Sequence, residues 1–204
     1  MVVEPGPIAD FVADTVCVGQ PTYFTDLSYS TGSPITQWYW DFGDGMNSSL
    51  QFPIHTYSEP GFYYPSLHVT TSNGCIDMVV KQIYVNYLPV ADFTYSSPLC
   101  NTDSVQFTDL SYSIGTNIIN DWFWEFGDGD TSSLQNPIHH FDVSGVYTVS
   151  LTVEDSNGCA SVITKDISIS VAPDAEFTFS QYNCDSVVFT DLSAPTGGNI
   201  VSWE

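Results

Sequence analysis

Along most of this chain apolar side chains fall at every second position, in short runs bounded by Gly, Pro, Asn and Asp. Gly145-Val146-Tyr147-Thr148-Val149-Ser150-Leu151-Thr152-Val153 sets Tyr, Val and Leu against Thr and Ser, and Trp38, Trp40 and Phe42 alternate in the same way. A period of two places successive side chains on opposite faces of a pleated strand, so these runs predict half-buried β-strands. Asn73-Gly74 and Asn157-Gly158 tolerate positive φ and predict tight hairpin turns. Pro53 and Pro137 mark an edge strand or irregular crossing, because proline cannot donate to a ladder. Pro65 stands where the second copy has Val149, and predicts a local irregularity. Nothing reads as helix.

The pattern repeats. Trp38-Tyr39-Trp40-Asp41-Phe42-Gly43-Asp44-Gly45 returns as Trp122-Phe123-Trp124-Glu125-Phe126-Gly127-Asp128-Gly129. Trp40 and Trp124, His55 and His139, Cys75 and Cys159, and Lys81 and Lys165 are each 84 residues apart, and Cys17 and Cys100 are 83 apart. A third copy begins at Asp174-Ala175-Glu176-Phe177 and reaches Trp203, the counterpart of Trp38 and Trp122. The expected organisation is a first domain over 1–88, a second over 89–172 and the N-terminal part of a third over 173–204. Two strands and the start of another leave an apolar face uncovered, so more chain or a partner chain is expected to complete the third sandwich. Links as short as Asn86-Tyr87-Leu88-Pro89 and Val171-Ala172-Pro173 predict a semi-rigid string.

Charge then narrows the partners. The 204 residues carry 24 Asp and Glu against two lysines and no arginine, a formal net charge of −22. Nucleic-acid phosphates and anionic lipid surfaces need basic patches, so both are excluded as partners. Such a chain attracts cations, with Ca²⁺ the candidate, but holds no loop of fixed ligand spacing. No run approaches the length of a membrane span, and Met1-Val2-Val3-Glu4-Pro5 is not a secretion signal, so the start reads as a processed or excised boundary.

Cys17, Cys100 and Cys184 fall early in their copies, and Cys75 and Cys159 late. Paired within copies, Cys17–Cys75 and Cys100–Cys159 would close loops of 58 and 59 residues, worth up to about 4 kcal/mol in the chain-entropy picture. The partner of Cys184 is then expected past Glu204, and the setting is oxidising and extracellular. Free buried thiols are the alternative.

Trp40-Asp41-Phe42-Gly43-Asp44-Gly45, Asn136-Pro137-Ile138-His139, Gly145-Val146-Tyr147-Thr148-Val149 and Asn157-Gly158-Cys159 together resemble the polycystic-kidney-disease (PKD) domain family. The resemblance covers nearly the whole chain. It implies an all-β fold of tandem immunoglobulin-like sandwiches, two complete and one truncated. It also implies a spacer, adhesive or binding role rather than enzymatic activity. Copies with an early Cys and a late Asn-Gly-Cys are similar to repeats of very large surface proteins of gliding, type IX-secreting Bacteroidota. Glu125 for the family's Asp, the additional Trp before the motif, and Pro65 depart from the family pattern.

Several residues carry a chemical reading beside a structural one. Asp44 and Asp128 read either as calcium ligands or carboxylate pairs, or as turn-closing side chains between glycines. His55 and His139 have no repeated Ser or Cys nucleophile near them, which favours a packed imidazole and no catalytic group. Acidic residues near the domain joints (Asp10, Asp92, Asp174, Glu176; Glu154, Asp155) are a candidate Ca²⁺ site of the kind that stiffens some PKD strings. Tyr39 and Phe123 point away from the tryptophan face and are candidate contacts for a glycan or a neighbouring subunit. Lys81 and Lys165 each predict a surface pair with an acidic neighbour. Thr15, Ser104 and Ser186 sit in Asp-(Ser/Thr)-apolar triplets resembling the O-glycosylation acceptor used in Bacteroidota. The function expected is a non-catalytic structural or adhesive segment of a large extracellular surface protein or appendage, contacting neighbouring repeats and forming a homo-oligomer or filament. The alternative is an accessory module of a secreted protease or polysaccharide hydrolase.

Overall fold

A computed structural model describes residues 5–97, 100–115, 117–182 and 186–194 of the chain. Cys184 and Trp203 lie outside them. Among the described residues every regular element is a strand. Two compact units form: the first takes in Met1–Leu88 with Ser113–Asn117 and Asp155–Cys159, and the second takes in Pro89–Tyr112, Ile118–Glu154 and Ala160–Glu204.

In the first unit, Phe11–Ala13, Pro21–Asp26 and Ile54–Thr56 make a three-stranded antiparallel sheet. Opposite them lies a four-stranded sheet in the order Asn47–Ser48, Ile35–Asp41, Ser66–Thr71, Ile76–Val80. The alternation is literal: Pro21–Asp26 reads exposed, buried, exposed, buried, exposed, buried. The buried set of both sheets interdigitates as one core of Phe11, Phe24, Trp40, Phe42, Tyr57, Leu67, Val69 and Val85, with Trp38 packed partly buried at its margin. Trp40 is fully buried, with its ring edge-on to Phe11 at 5.1 Å and 5.3 Å from Phe24. Aromatic pairs in these geometries add to the area they bury.

The second unit repeats the plan. Phe93–Tyr95, Ser104–Asp109 and Ile138–His140 form one sheet. Thr131–Ser132, Ile119–Glu125, Gly145–Asp155 and Ala160–Ile169 form the other. Trp124 takes the central place, 5.1 Å from Phe93 and 5.4 Å from Phe107. The long hairpin of Gly145–Asp155 and Ala160–Ile169 is unbroken here, whereas in the first unit it is split into Gly61–Tyr63 with Ser66–Thr71 and Ile76–Val80 with Ile83–Asn86. Pro65 is the cause, since it has no N–H to give. Register survives the break because the Lys81 N–H still donates to the Pro65 carbonyl at 3.1 Å.

The third copy contributes the antiparallel pair Phe177–Tyr182 and Ser186–Asp191, in the Phe-to-Asp register that Phe11–Asp26 and Phe93–Asp109 also show. Phe177, Phe179 and Phe189 are exposed, where Phe93 and Phe107 are fully buried.

The early cysteine of each repeat is fixed by a parallel contact. Val16 and Cys17 pair with Val85 and Asn86 at the end of the last strand, and Cys100 bridges Ser170 in the same sense. The late cysteine follows the Asn-Gly turn at the opposite end of that strand. Cys75 therefore lies eleven residues before the partner of Cys17, on the order of 30 Å away along an extended chain. A disulfide needs its Cα atoms within about 7 Å. Pairing Cys17 with Cys75, or Cys100 with Cys159, is thus excluded, and the expectation of pairing within copies is corrected. The bond formed is Cys17–Cys159, with a Cα separation of 5.7 Å, and Cys75 and Cys100 are free thiols.

Candidate functional site

The polar residues of the repeat concentrate at the Gly-Asp-Gly corner. Gly43, Gly45, Gly127 and Gly129 all take positive φ, between 82° and 106°. At Gly127 a Cβ would also stand 2.7 Å from the Thr148 carbonyl oxygen on the adjacent strand, so both conformation and space demand glycine. Between the glycines, Asp44 Oδ1 accepts the Met46 N–H at 3.0 Å, and Asp128 Oδ1 accepts the Asp130 N–H at 3.1 Å. The other carboxylate oxygen turns inward, 2.7 Å from His55 Nε2 in one copy and 2.7 Å from His139 Nε2 in the other.

Each imidazole is held on two further sides. His55 stacks on Phe42 at 4.2 Å and meets Tyr57 edge-on; His139 stacks on Phe126 at 4.0 Å and meets Phe141 edge-on. In the first copy Tyr57 O–H donates to the Phe42 carbonyl. Burial, then the nearby Asp44 carboxylate, Tyr63 and Asp41, raise that phenol's pKa, which favours the protonated, donating form. Asp41 Oδ1 caps the Gly43 N–H, and Glu125 accepts from Ser150 Oγ. The arrangement holds a strand end in place.

In the second copy Asp130 adds a third group, and ligand atoms of Asp128, Asp130 and His139 lie within 4.8 Å of one another. The first copy has Met46 at that position. Both Asp128 oxygens also take protein partners.

A second polar set was not legible in the sequence. The repeated Phe-Thr-Asp-Leu-Ser reads only as strand, yet its Asp receives the indole of the first tryptophan. Trp38 Nε1 donates to Asp26 Oδ2 at 2.6 Å, with Gln51 Nε2 joining at 2.9 Å. Trp122 and Gln135 do the same to Asp109 at 2.7 and 3.0 Å. Asp26 is buried and Asp109 partly so, and a carboxylate withdrawn from water needs its lone pairs taken up in this way.

The lysines are also tied to the core. Lys81 Nζ reaches Asp10 at 2.6 Å and the Phe11 carbonyl, and sits 5.2 Å from the Phe11 ring centroid. Lys165 Nζ reaches Asp92 at 2.7 Å and the Phe93 carbonyl, 4.8 Å from the Phe93 ring. Two of the acids read as joint calcium ligands are thereby engaged by lysine, while Asp155 is buried and accepts from Asn117, Asn157 N–H and Cys159 N–H. Tyr39 and Phe123 are 48 and 47 % exposed, and Tyr39 lies edge-on to His68. Thr15, Ser104 and Ser186 are exposed.

These contacts set a response to acid. Hydrogen bonding from Lys81 and Lys165 holds Asp10 and Asp92 below the usual carboxylate range. At Asp128 burial pushes upward, but the His139 and Asp130 hydrogen bonds outweigh it, and its pKa is lowered as well. A folded pKa below the unfolded value means stability that is present above the unfolded value and lost as pH falls through the folded one. Denaturant midpoints are therefore expected to fall on acidification below about pH 4. Lys165→Met should show a shallower acid loss than the parent chain; equal slopes would show that the Lys165–Asp92 pair is not linked to folding.

A tandem of immunoglobulin-like sandwiches, with a Trp-centred core and a Gly-Asp-Gly corner closed by Asp and His, defines a class of repeated β-module. The chain belongs to the PKD domain family, which it matches over residues 4–87 and 86–171. It is similar to a microbial collagenase of Vibrio alginolyticus, 34% identical over 85 residues, 42% of this chain and 10% of that protein. It is likewise similar to the collagenase ColA of Bacillus cereus, 34% identical over 80 residues, 39% of this chain and 8% of that one. The chain thus spans about a tenth or less of the length of these relatives. Among solved structures, the PKD1 domain of Vibrio anguillarum Epp is 31% identical, with 43% of this chain and 99% of that one covered and a TM-score of 0.40. The disulfide suits an extracellular protein. Among the described residues no helix is long and apolar enough to cross a membrane.

Proposed function

We propose that this chain is a non-catalytic structural segment of a large extracellular surface protein, similar to the repeat proteins of gliding, type IX-secreting Bacteroidota, which bears load in adhesion, gliding or cell contact. The observation that carries the reading is the duplication of whole hydrogen-bond sets. Asp26 with Trp38 and Gln51, Asp44 with His55, and Lys81 with Asp10 recur as Asp109 with Trp122 and Gln135, Asp128 with His139, and Lys165 with Asp92. The polar chemistry is spent on holding the sandwich and repeating it. Its partners in this reading are neighbouring repeats, a filament of like chains and a glycan or other cell-surface ligand. Surface Thr15, Ser104 and Ser186 would carry O-glycans, and Ca²⁺ would act as a stiffening ion.

Force spectroscopy tests it. The Cys17–Cys159 bond spans 142 residues, which at about 3.4 Å each hide roughly 480 Å of contour length from an applied load. That length should appear only after reductant is added; its full release under non-reducing conditions would sink the mechanical reading.

The collagenase relatives favour a second reading, an accessory module that holds a catalytic domain on its substrate through Tyr39 and Phe123. Retention on insoluble collagen, chitin or cellulose, abolished by Tyr39→Ala with Phe123→Ala, would support it over the first.

A further inference from the structure

Cys17 is the early cysteine of the first repeat and Cys159 the late cysteine of the second, and their bond lies within the first compact unit. Each has an equivalent that is not bonded. Cys100 occupies the place of Cys17, bridging Ser170 in parallel as Cys17 pairs with Asn86, and Asn86 and Ser170 are 84 residues apart. Cys75 occupies the place of Cys159: the Cys75 carbonyl accepts from Thr71 N–H, and the Cys159 carbonyl from Asp155 N–H, each at 2.9 Å after the same Asn-Gly turn. Both Cys75 and Cys100 are free thiols of intermediate exposure, whereas the bonded Cys159 is fully buried. Among the described residues there are thus one completed link between an early and a late cysteine, one unused early half and one unused late half. Pairing within a repeat is barred by the length of the last strand.

We infer that in this protein the early cysteine of each repeat is cross-linked to the late cysteine of the repeat that follows it. Cys100 is then the half-site for the late cysteine of a following repeat of the same kind, and Cys75 the half-site for the early cysteine of a preceding one. The repeats form a covalent ladder, each member clamped to both neighbours. This holds equally for a load-bearing string and for a spacer, so it stands apart from the proposed function. Each bond forms as two thiols give up two protons and two electrons to a disulfide oxidant such as oxidised glutathione, which leaves as two thiols.

The test extends the full chain. Residues 1–204 are followed by a second copy of residues 124–172, which completes the third repeat because Trp203 stands at the position of Trp122. After refolding in oxidised and reduced glutathione, free thiols are alkylated, the protein is cut at its many acidic residues without reduction, and linked peptides are read by mass. The expected links are Cys17–Cys159 and Cys100 to the added copy of Cys159, with Cys75 and Cys184 alkylated. A link from Cys184 to the added cysteine, or alkylated Cys100 beside an intact Cys17–Cys159 bond, overturns the inference. Should the extension not fold, the unextended chain carrying Cys184→Ser is oxidised at high concentration. Cys75–Cys100 links between copies in excess of random pairing support the ladder; random or like-with-like links overturn it.

Discussion

Replacing Cys17 by serine, or reducing its disulfide, is expected to lower the stability of the oxidised chain by up to about 5 kcal/mol. The bond spans 142 residues, and closing a loop of that size removes conformational entropy from the unfolded chain, about 4.7 kcal/mol for 100 residues and slightly more here. Cys159→Ser should cost a similar amount, and the double variant little more than either single one, since both remove one interaction. Cys75→Ser and Cys100→Ser should leave the midpoint nearly unchanged. These four variants in one denaturant series separate the observed linkage from pairing within a repeat, under which Cys75→Ser would match Cys17→Ser. If Cys75→Ser proves as harmful as Cys17→Ser, the linkage described above is wrong.

Trp124→Ala is expected to cost about 3–5 kcal/mol, in the range of large-to-small changes at the centre of a core. Trp124 is fully buried, is ringed by Phe93, Phe107 and Phe126, and donates its indole N–H to the Leu134 carbonyl at 2.9 Å. Alanine leaves a cavity walled by three aromatic rings that cannot collapse without moving both sheets, and it strands that carbonyl. Phe123→Ala, one residue away on the exposed face, should stay within about 0.5 kcal/mol of the parent. The neighbouring pair is the measurement: thermal or denaturant unfolding that finds the two variants alike would mean the strand does not present Trp124 inward.

Much of the architecture is legible in the amino-acid sequence. Alternation in Trp38–Phe42 and Gly145–Val153 announced strands, because a sheet with one wet face imposes a period of two. The paired glycines around Asp44 and Asp128 announced turns, because only glycine takes their positive φ without strain. Pro65 announced the one interruption of the long hairpin, because a missing donor cannot be compensated within the ladder. The exposure of Tyr39 and Phe123 follows from the same alternation, while what they touch does not.

Other features were beyond the sequence. That Asp26 and Asp109 receive an indole twelve or thirteen residues onward depends on how the two sheets are stacked, and no spacing rule encodes it. The Asp-to-His contacts at 2.7 Å likewise need the corner and the edge strand brought together. The cysteines are the sharpest case. An 84-residue period is obeyed equally by links within a repeat and by links to the next one, and the shorter loops made the former the natural reading.

By itself, then, the sequence determined the strands, their faces, the corner and the repeat, all of which follow from forces acting over a few residues: pleat, backbone φ and the burial of alternate side chains. Only the tertiary structure decided which distant groups meet. It set Cys17 beside the end of the last strand and Cys75 at that strand's beginning, a separation no side chain can bridge, and so passed the bond to Cys159 of the next repeat.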